Sequence, residues 1–257
     1  MRRFAATIRE ESNLNKLLQD SSIWYDFDDL STQTIVQSPT PNVIQVINSK
    51  GTIPNMQMIS FNGANESINI GSVNYCKSID SAFLFGASSS SKSDYRFLHQ
   101  PDTQDRTIFQ VAKPEGTNVV NSTLNSSANA SAQIGLNIYD ESRNLASAVK
   151  QLRVTIGRGS GSFVLLYISG SNQWLTTQNN LYFDKAENAN LQIELNNTQL
   201  FSNTVPASGS SSAADSSNLL RLGPFQGLLA ETIVYNRVLT AAEKTLIKDY
   251  LTSKWNL

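Results

Sequence analysis

Short segments in which apolar and polar residues alternate recur through the second half of this chain. Residues 133–139 read QIGLNIY, residues 152–156 read LRVTI and residues 191–195 read LQIEL, with Ile, Leu or Val at every second position. Side chains of a β-strand point alternately to its two faces, so this period of two predicts strands with one buried face. Breaks rich in Gly, Ser and Asn separate the segments, as is typical of a sandwich or jelly roll of many short strands.

Two further segments are apolar on both faces. Residues 162–168 read SFVLLYI and residues 228–235 read LLAETIVY, which predicts central strands that are covered on each side. The glycine-rich run GRGSG at 157–161 stands between two predicted strands. A phosphate-binding loop would be followed by a helix N-terminus, so the run predicts a β-hairpin turn instead.

The beginning of the chain has a different period. Phe4, Ile8, Leu14 and Leu18 recur with helical spacing between charged residues, which predicts an amphipathic helix over residues 3–19. The apolar stripe must be buried either on the sandwich itself or on a neighbouring molecule. We interpret residues 1–22 as a helical extension that anchors the protein to partners through these four side chains, and residues 23–257 as one β-sandwich domain.

A second helix is predicted at the end of the chain. Thr240 and Glu243 have the spacing of a capping box, and Leu246, Ile247, Tyr250 and Leu251 supply one apolar face.

Composition excludes several classes of function. The net charge is −1, from 20 basic and 21 acidic residues, and no Lys/Arg cluster could follow a phosphate backbone, so we expect no nucleic-acid binding. The first residues lack the apolar run of a secretory signal, and no run of 18 apolar residues occurs, so we expect no membrane insertion. A single cysteine, Cys76, excludes an internal disulfide and a cysteine-built zinc site.

Catalytic patterns are absent from the sequence. His99 is the only histidine, and neither Glu-x-Asp-x-Glu nor Glu-x-Asp-x-x-Glu occurs, so the acid pair of β-sandwich glucanases is missing. We therefore predict a protein that is not an enzyme and has no catalytic residues. Asp26 and Asp28 in the segment WYDFDDLS either offer oxygens to a calcium ion or form a solvated acidic turn after a strand. No other cofactor is indicated.

One tryptophan has the surroundings of a sugar-binding residue. Trp174 lies in SGSNQWLTTQNN, close in sequence to Asn172, Gln173 and Asn180. Sugar rings stack on flat aromatic faces and form hydrogen bonds with amide side chains around them. These residues form a candidate carbohydrate site, and the alternative is a tryptophan packed in the core or against a hairpin.

The segment FQGLLAETIVYNRVLTAAEKTLIKDYLTSKW, residues 225–255, resembles the closing signature of laminin G-like domains in the concanavalin A-like lectin/glucanase superfamily. That signature combines a glycine, a strand ending in Glu-x-x-x-Tyr-Asn, a Leu-Ser/Thr turn, and a helix that reaches Tyr-Leu and Lys-Trp. Residues 23–29, 60–63 and 191–201 resemble the first strand, a Phe-Asn-Gly segment and a late hairpin of the family. The matching positions of the signature are Gly227, Glu231, Tyr235, Asn236, Leu239, Thr240, Glu243, Tyr250, Leu251, Lys254 and Trp255.

The resemblance implies two antiparallel sheets in a jelly roll, with ligand sites in loops along one rim. Modules of this type occur in secreted adhesins, carbohydrate-active enzymes and virion proteins of tailed bacteriophages. The Asn/Ser/Thr-rich strands, the helical N-terminal extension and the missing signal peptide favour the virion. We therefore expect a capsid decoration, head-fibre or tail-associated adhesion protein, made in the host cytoplasm. Its expected partners are other virion proteins, further copies of itself and cell-surface glycans. The alternative is a free lectin-like carbohydrate-binding module.

Overall fold

A computed structural model of the chain describes residues 2–37, 42–47, 50–51, 56–60, 65–85, 105–114, 121–125, 136–141, 150–157, 162–169, 175–185, 188–196, 198–205 and 221–257. The candidate residues Asn172, Gln173 and Trp174, together with His99, lie outside these ranges.

The two predicted helices are confirmed. Helix α1 spans Arg2–Gln19, and helix α2 spans Ala241–Trp255. The capping box of α2 is complete, because the Thr240 hydroxyl accepts a hydrogen bond from the Glu243 backbone N–H and the Glu243 carboxylate accepts one from the Thr240 backbone N–H. A short 3-10 helix spans Leu30–Thr32. Neither α1 nor α2 is long and apolar enough to cross a membrane.

The rest of the described chain is mainly β-strand. The strands are β1 (Ile23–Asp26), β2 (Gln33–Val36), β3 (Val43–Ile47), β4 (Met56–Ser60), β5 (Asn65–Ile70), β6 (Val73–Phe85), β7 (Arg106–Pro114), β8 (Asn121–Asn125), β9 (Leu136–Glu141), β10 (Lys150–Gly157), β11 (Ser162–Ser169), β12 (Leu175–Lys185), β13 (Asn188–Leu195), β14 (Thr198–Val205) and β15 (Arg221–Tyr235).

All described strand pairs are antiparallel, and β15 is at their centre. The first part of β15 pairs with β6 and β8, and its last part pairs with β7 and β1. On the far side of β7 the order continues through β12 and β13 to β14. The chain is thus mostly β, with an antiparallel sheet and two helices, as predicted. The two-sheet jelly-roll arrangement stays a prediction, because hydrogen bonds join the described strands into one network.

The strand predictions had mixed outcomes. Antiparallel pairing of Gly157 with Ser162 confirms the hairpin turn after β10, and pairing of Leu195 with Thr198 confirms the late hairpin between β13 and β14. The central position of β15 is also confirmed. The prediction that residues 162–168 form a central strand is not confirmed, since among the described strands β11 pairs with β10 alone. An apolar run marks a strand but does not show how many neighbours it has.

Both helices pack on one face of the sheet formed by β1, β15 and β7. Alternate residues of these strands, including Trp24, Phe109 and Ile233, join Leu17, Leu18, Ile247, Leu251 and Trp255 of the helices in one buried cluster. The opposite face of the same strands buries Ile23, Tyr25 and Ile108. This part of the sheet is therefore covered on both sides, which explains why the apolar pattern of β15 lacks a clean alternation.

The end of α1 is part of this core. Leu18 is buried, and Leu14 packs against the cluster. The Tyr235 hydroxyl donates a hydrogen bond to the Leu17 carbonyl over 3.0 Å. The turn that follows α1 is also tightly packed. A Cβ added at Gly51 would stand 2.6 Å from the Ser21 carbonyl oxygen. The side chains of Phe4 and Ile8 are outside the described part of the structure, and the division at residue 22 stays a prediction.

We expect Leu18→Ala to lower the free energy of unfolding by about 3 kcal/mol, because it removes buried methyl groups and leaves a cavity between α1 and the sheet. Glu11→Ala, at an exposed position of the same helix, should change it by less than about 0.5 kcal/mol. Urea denaturation of the full chain measures both. Equal effects of the two substitutions would show that α1 does not contribute to the stability of the domain.

Candidate functional site

The densest group of polar side chains in the described residues surrounds the carboxylate of Glu231 on β15. This residue is 1% exposed, yet its two oxygens accept four hydrogen bonds. Oε1 accepts from Trp24 Nε1 at 2.7 Å and from the Tyr250 hydroxyl at 2.9 Å. Oε2 accepts from Trp255 Nε1 at 2.8 Å and from Lys254 Nζ at 3.1 Å. The donors come from β1 and α2, so one carboxylate connects three elements.

A second carboxylate lies beside the first. Asp26 is the register partner of Glu231 in the β1–β15 pair and is 4% exposed. The ammonium group of Lys254 bridges the two acids, at 2.6 Å from Asp26 Oδ1 and 3.1 Å from Glu231 Oε2. Asp26 and Glu231 would repel each other in a buried site, and the shared ammonium group offsets this repulsion.

A second lysine closes the site from the other side of β1. Lys50 Nζ lies 3.2 Å from Asp26 Oδ2, 3.0 Å from Asp29 Oδ2 and 4.2 Å from the centre of the Trp24 ring. The backbone N–H of Lys50 also donates to the Trp24 carbonyl at 2.8 Å. We call Trp24, Asp26, Lys50, Glu231, Tyr250, Lys254 and Trp255 the buried clasp.

The pKa shifts follow from this packing. Burial raises the pKa of the Glu231 carboxyl above its ordinary value, while the Lys254 charge and the indole donors act in the opposite direction. The hydroxyl of Ser31 lowers the pKa of Asp29, with a further contribution from Lys50. The four donors offset part of the cost of burying the Glu231 carboxyl group, which is a structural role.

The structure describes both candidate calcium residues of the acidic segment. Asp26 is buried and bound to two lysines, so it does not belong to a solvated turn. Asp28 accepts hydrogen bonds from the backbone N–H of Asn74 at 2.8 Å and from its side chain at 3.3 Å. Calcium takes six to eight oxygen ligands, whereas here the carboxylates face ammonium and amide donors. No cluster of three candidate metal ligands occurs in the described part of the chain, and calcium binding by Asp26 and Asp28 stays a prediction.

Of the four candidate carbohydrate residues, Asn180 alone lies in the described part of the chain. Asn172, Gln173 and Trp174 fall in the connection between β11 and β12, which the structure leaves undescribed. Asn180 lies within β12, in register with Gln192 of β13 and Thr107 of β7. At about 3.4 Å per residue, it is about 17 Å along the strand from Leu175. One sugar ring could not contact both the start of β12 and Asn180.

The clasp residues were partly visible in the sequence. Glu231, Tyr250, Lys254 and Trp255 belong to the closing signature, and Trp24 and Asp26 to the segment that resembles a first strand. Sequence reasoning missed Lys50, which no motif marks. It also missed that these residues bind one another, because register between β1 and β15 becomes known only from the fold.

A groove of about 320 Å³ lies between α1 and α2, next to the capping box. One of its polar lining residues, Glu243, is already engaged by Arg237, whose guanidinium lies 2.7 Å from Oε1 and 3.0 Å from Oε2. The lining residues are Asn13, Lys16, Leu17, Asp20, Ala242, Glu243 and Leu246.

Comparison with known proteins gives similarity at the level of the fold. No protein-family model matches the chain, and no curated protein sequence matches it. The sialidase of Trypanosoma rangeli aligns with 98% of this chain and 39% of its own, at a TM-score of 0.52 and 10% identity. The CBM40 of the Ruminococcus gnavus IT-sialidase aligns with 74% of this chain and 94% of its own, at 0.42 and 14%. The enzymatically active domain of tailspike protein 2 of bacteriophage CBA120 aligns with 82% and 35%, at 0.45 and 12%.

We expect Lys254→Met to lower the free energy of unfolding by about 3 kcal/mol, because it leaves two adjacent buried carboxylates with one cation fewer. Lys248→Met is the matched control on the same helix. Lys248 pairs with Glu194 on β13 at 2.9 Å, outside the clasp, and its loss should cost about 1 kcal/mol or less. Chemical denaturation measures both, and equal losses would contradict the role of the clasp.

The Glu243 cap predicts a pH dependence. Hydrogen bonds from Arg237 and Thr240 lower the pKa of Glu243 from 4.5 to about 2. A lowered folded-state pKa stabilises the fold above the unfolded value, and this stabilisation is lost as the pH falls from 4.5 to about 2. Glu243→Gln should lose about 1 kcal/mol at neutral pH, since Arg237 is partly exposed.

The measurement for Glu243 is urea denaturation at several pH values. Wild-type protein should lose more stability than Glu243→Gln across that window, and Arg237→Gln should fall between them because the Thr240 bonds remain. Parallel pH profiles for wild type and Glu243→Gln would refute the assignment.

Proposed function

We propose that this chain is a non-enzymatic adhesion module of a tailed bacteriophage virion and that its β-sandwich binds cell-surface glycans. The observation that carries the proposal is the burial of Asp26 and Glu231. Glycoside hydrolysis needs two carboxyl groups that face a substrate across a cleft. In this chain the two acids that share a partner are 4% and 1% exposed and are bound to lysine and indole donors.

The proposed glycan binding places recognition in loops rather than in the clasp. The clasp uses the polar groups of the closing signature for internal contacts, so these cannot contact a ligand. Loops at the ends of strands are where binding residues concentrate on a rigid scaffold. Trp174 immediately precedes Leu175, the first residue of β12, and the connection contributes Asn172 and Gln173 as well. The fold likeness to a sialidase, a protein named for its action on a sugar, supports this ligand class.

The proposal of a virion setting rests on the composition of the chain and on its N-terminal helix. Only 16% of the residues are charged, and Asn, Ser and Thr are frequent in the strands. Helix α1 is amphipathic by sequence, and its residues Glu10, Glu11, Ser12 and Asn13 are exposed. An exposed stretch of an amphipathic helix supports attachment to other molecules.

A glycan array incubated with the full chain tests the proposal. We expect binding to at least one class of glycan, and a loss of affinity of about tenfold or more for Trp174→Ala, because aromatic anchors contribute most of the binding energy in such sites. Asn180→Ala is the matched control, since Asn180 lies about 17 Å from the start of β12, and it should bind like wild type.

Circular dichroism confirms that both variants remain folded. Absence of binding across the array, or unchanged binding by Trp174→Ala, would reject the proposed site. Turnover of a polysaccharide by the wild-type chain would reject the non-enzymatic assignment.

A further inference from the structure

Three residues of the clasp bring an amine and two carboxyl groups into direct contact. Lys254 Nζ lies 2.6 Å from Asp26 Oδ1 and 3.1 Å from Glu231 Oε2. Asp26 Cγ is bonded to Oδ1, so the amine lies next to the carbon atom that it would attack to form an amide. The side chains of Lys254, Asp26 and Glu231 are 19%, 6% and 0% exposed, so bulk water has little access to the three groups.

The fold holds these groups in place from three elements. Asp26 lies on β1, Glu231 is its register partner on β15, and Lys254 lies on α2. The Glu231 oxygens also accept hydrogen bonds from two indoles and a tyrosine hydroxyl. Well-oriented intramolecular reactions reach effective concentrations of about 10⁵ to 10⁸ M. Contact of this kind favours condensation of an amine with a carboxyl group, which is unfavourable between dilute partners in water.

Glu231 is placed to move the protons that condensation requires. An amine is a nucleophile only after its ammonium form has lost a proton. Burial raises the pKa of the Glu231 carboxyl, so this group accepts a proton from Lys254 more readily than a solvated glutamate would. The transfer converts a buried ion pair into two neutral groups, which removes the cost of keeping both charges out of water.

The second oxygen of Asp26 lies next to another cation. Lys50 Nζ is 3.2 Å from Oδ2. When an amine attacks the carboxyl carbon, negative charge moves onto a carboxyl oxygen, and a fixed cation beside that oxygen stabilises the charge. Lys50 therefore has the position of a group that stabilises an oxyanion at Asp26.

We propose that Lys254 and Asp26 become joined by an intramolecular isopeptide bond, with Glu231 transferring the protons. Lys254 gives one proton to Glu231, and the uncharged Nζ attacks Asp26 Cγ. A C–N bond forms, and the bond between Cγ and Oδ1 breaks. Oδ1 leaves as water after it receives the proton held by Glu231 and a second proton from Nζ. One ammonium and one carboxylate thus become one amide and one water, and no oxidant or activating co-reactant is consumed.

The bond links two positions that are 228 residues apart in the sequence, one on β1 and the other on α2. A covalent link over such a span restricts the unfolded chain and stabilises the fold. The ion pairs of Lys254 are the state from which the bond forms. The bond is independent of the proposed glycan binding, because none of its residues belongs to the candidate carbohydrate site.

Intact-mass spectrometry of the denatured full chain tests the proposal. We expect wild type to be lighter than its sequence mass by one water molecule. Lys254→Arg keeps the positive charge but not the nucleophile, since a guanidinium stays protonated, and it should have its full sequence mass. Glu231→Gln, which cannot accept the proton, should also have its full mass. Lys248→Arg, the control on the same helix, should lose water like wild type. A wild-type chain at its full sequence mass would overturn the proposal.

Peptide mapping locates the bond. Trypsin should release peptides 17–50 and 249–254 separately from an unmodified chain. The bond joins 17–50 to 249–257, because trypsin does not cleave after a modified Lys254. The ion pair of Lys248 with Glu194, at 2.9 Å, is the control within the same molecule. Its side chains are 24% and 16% exposed, and it should stay uncondensed. A link at that pair, or from Lys254 to Glu231 in place of Asp26, would contradict the assignment.

Discussion

The buried carboxylate of Glu231 constrains the arrangement of β1, β15 and α2 more than any other group described. Burial of an ionised carboxylate without hydrogen-bond or ion-pair partners costs several kcal/mol. Removing one partner of such a group is therefore strongly destabilising. Its four donors belong to Trp24, Tyr250, Lys254 and Trp255. These four donors reach one carboxylate only if β1 and α2 each keep one fixed position against β15. The clasp therefore specifies geometry, and the surrounding apolar cluster supplies most of the stability.

The clasp joins segments that are far apart in the sequence. Strand β1 follows α1 after three residues, whereas β15 and α2 come more than 190 residues later. Contacts between such distant segments carry a large loop-closure cost, which is recovered only when the intervening strands are in place. The pairing of Asp26 with Glu231, together with the ion pairs that Lys254 forms with both, holds the beginning and the end of the domain together. Leu17 and Leu18, near the end of helix α1, are buried in the same apolar cluster as the residues of α2.

Elements with a strong local signal were predictable from the sequence, and those that depend on long-range register were not. Thr240 and Glu243 marked the start of α2, and the alternation in residues 152–156 and 191–195 marked two strands, because these signals are local. The apolar run of β11 did not show which strands it pairs with, since neighbours are set by the whole sheet. Asp26 looked like a solvated or metal-binding acid because its partners, Lys50 and Lys254, are distant in sequence. Asn180 was grouped with Trp174 because the sequence did not mark residues 175–185 as one extended strand.

The same geometry explains why the C-terminal signature carries information about the fold and little about the ligand. Four residues of the signature contact one another and β1, so a chain that retains them also retains this packing of β1, β15 and α2. They are Glu231, Tyr250, Lys254 and Trp255. No residue of the clasp comes from β11, β12 or α1. Specificity for a ligand and attachment to partners can therefore change without disturbing the clasp. Functional differences between proteins with this signature should accordingly be sought in their loops and extensions.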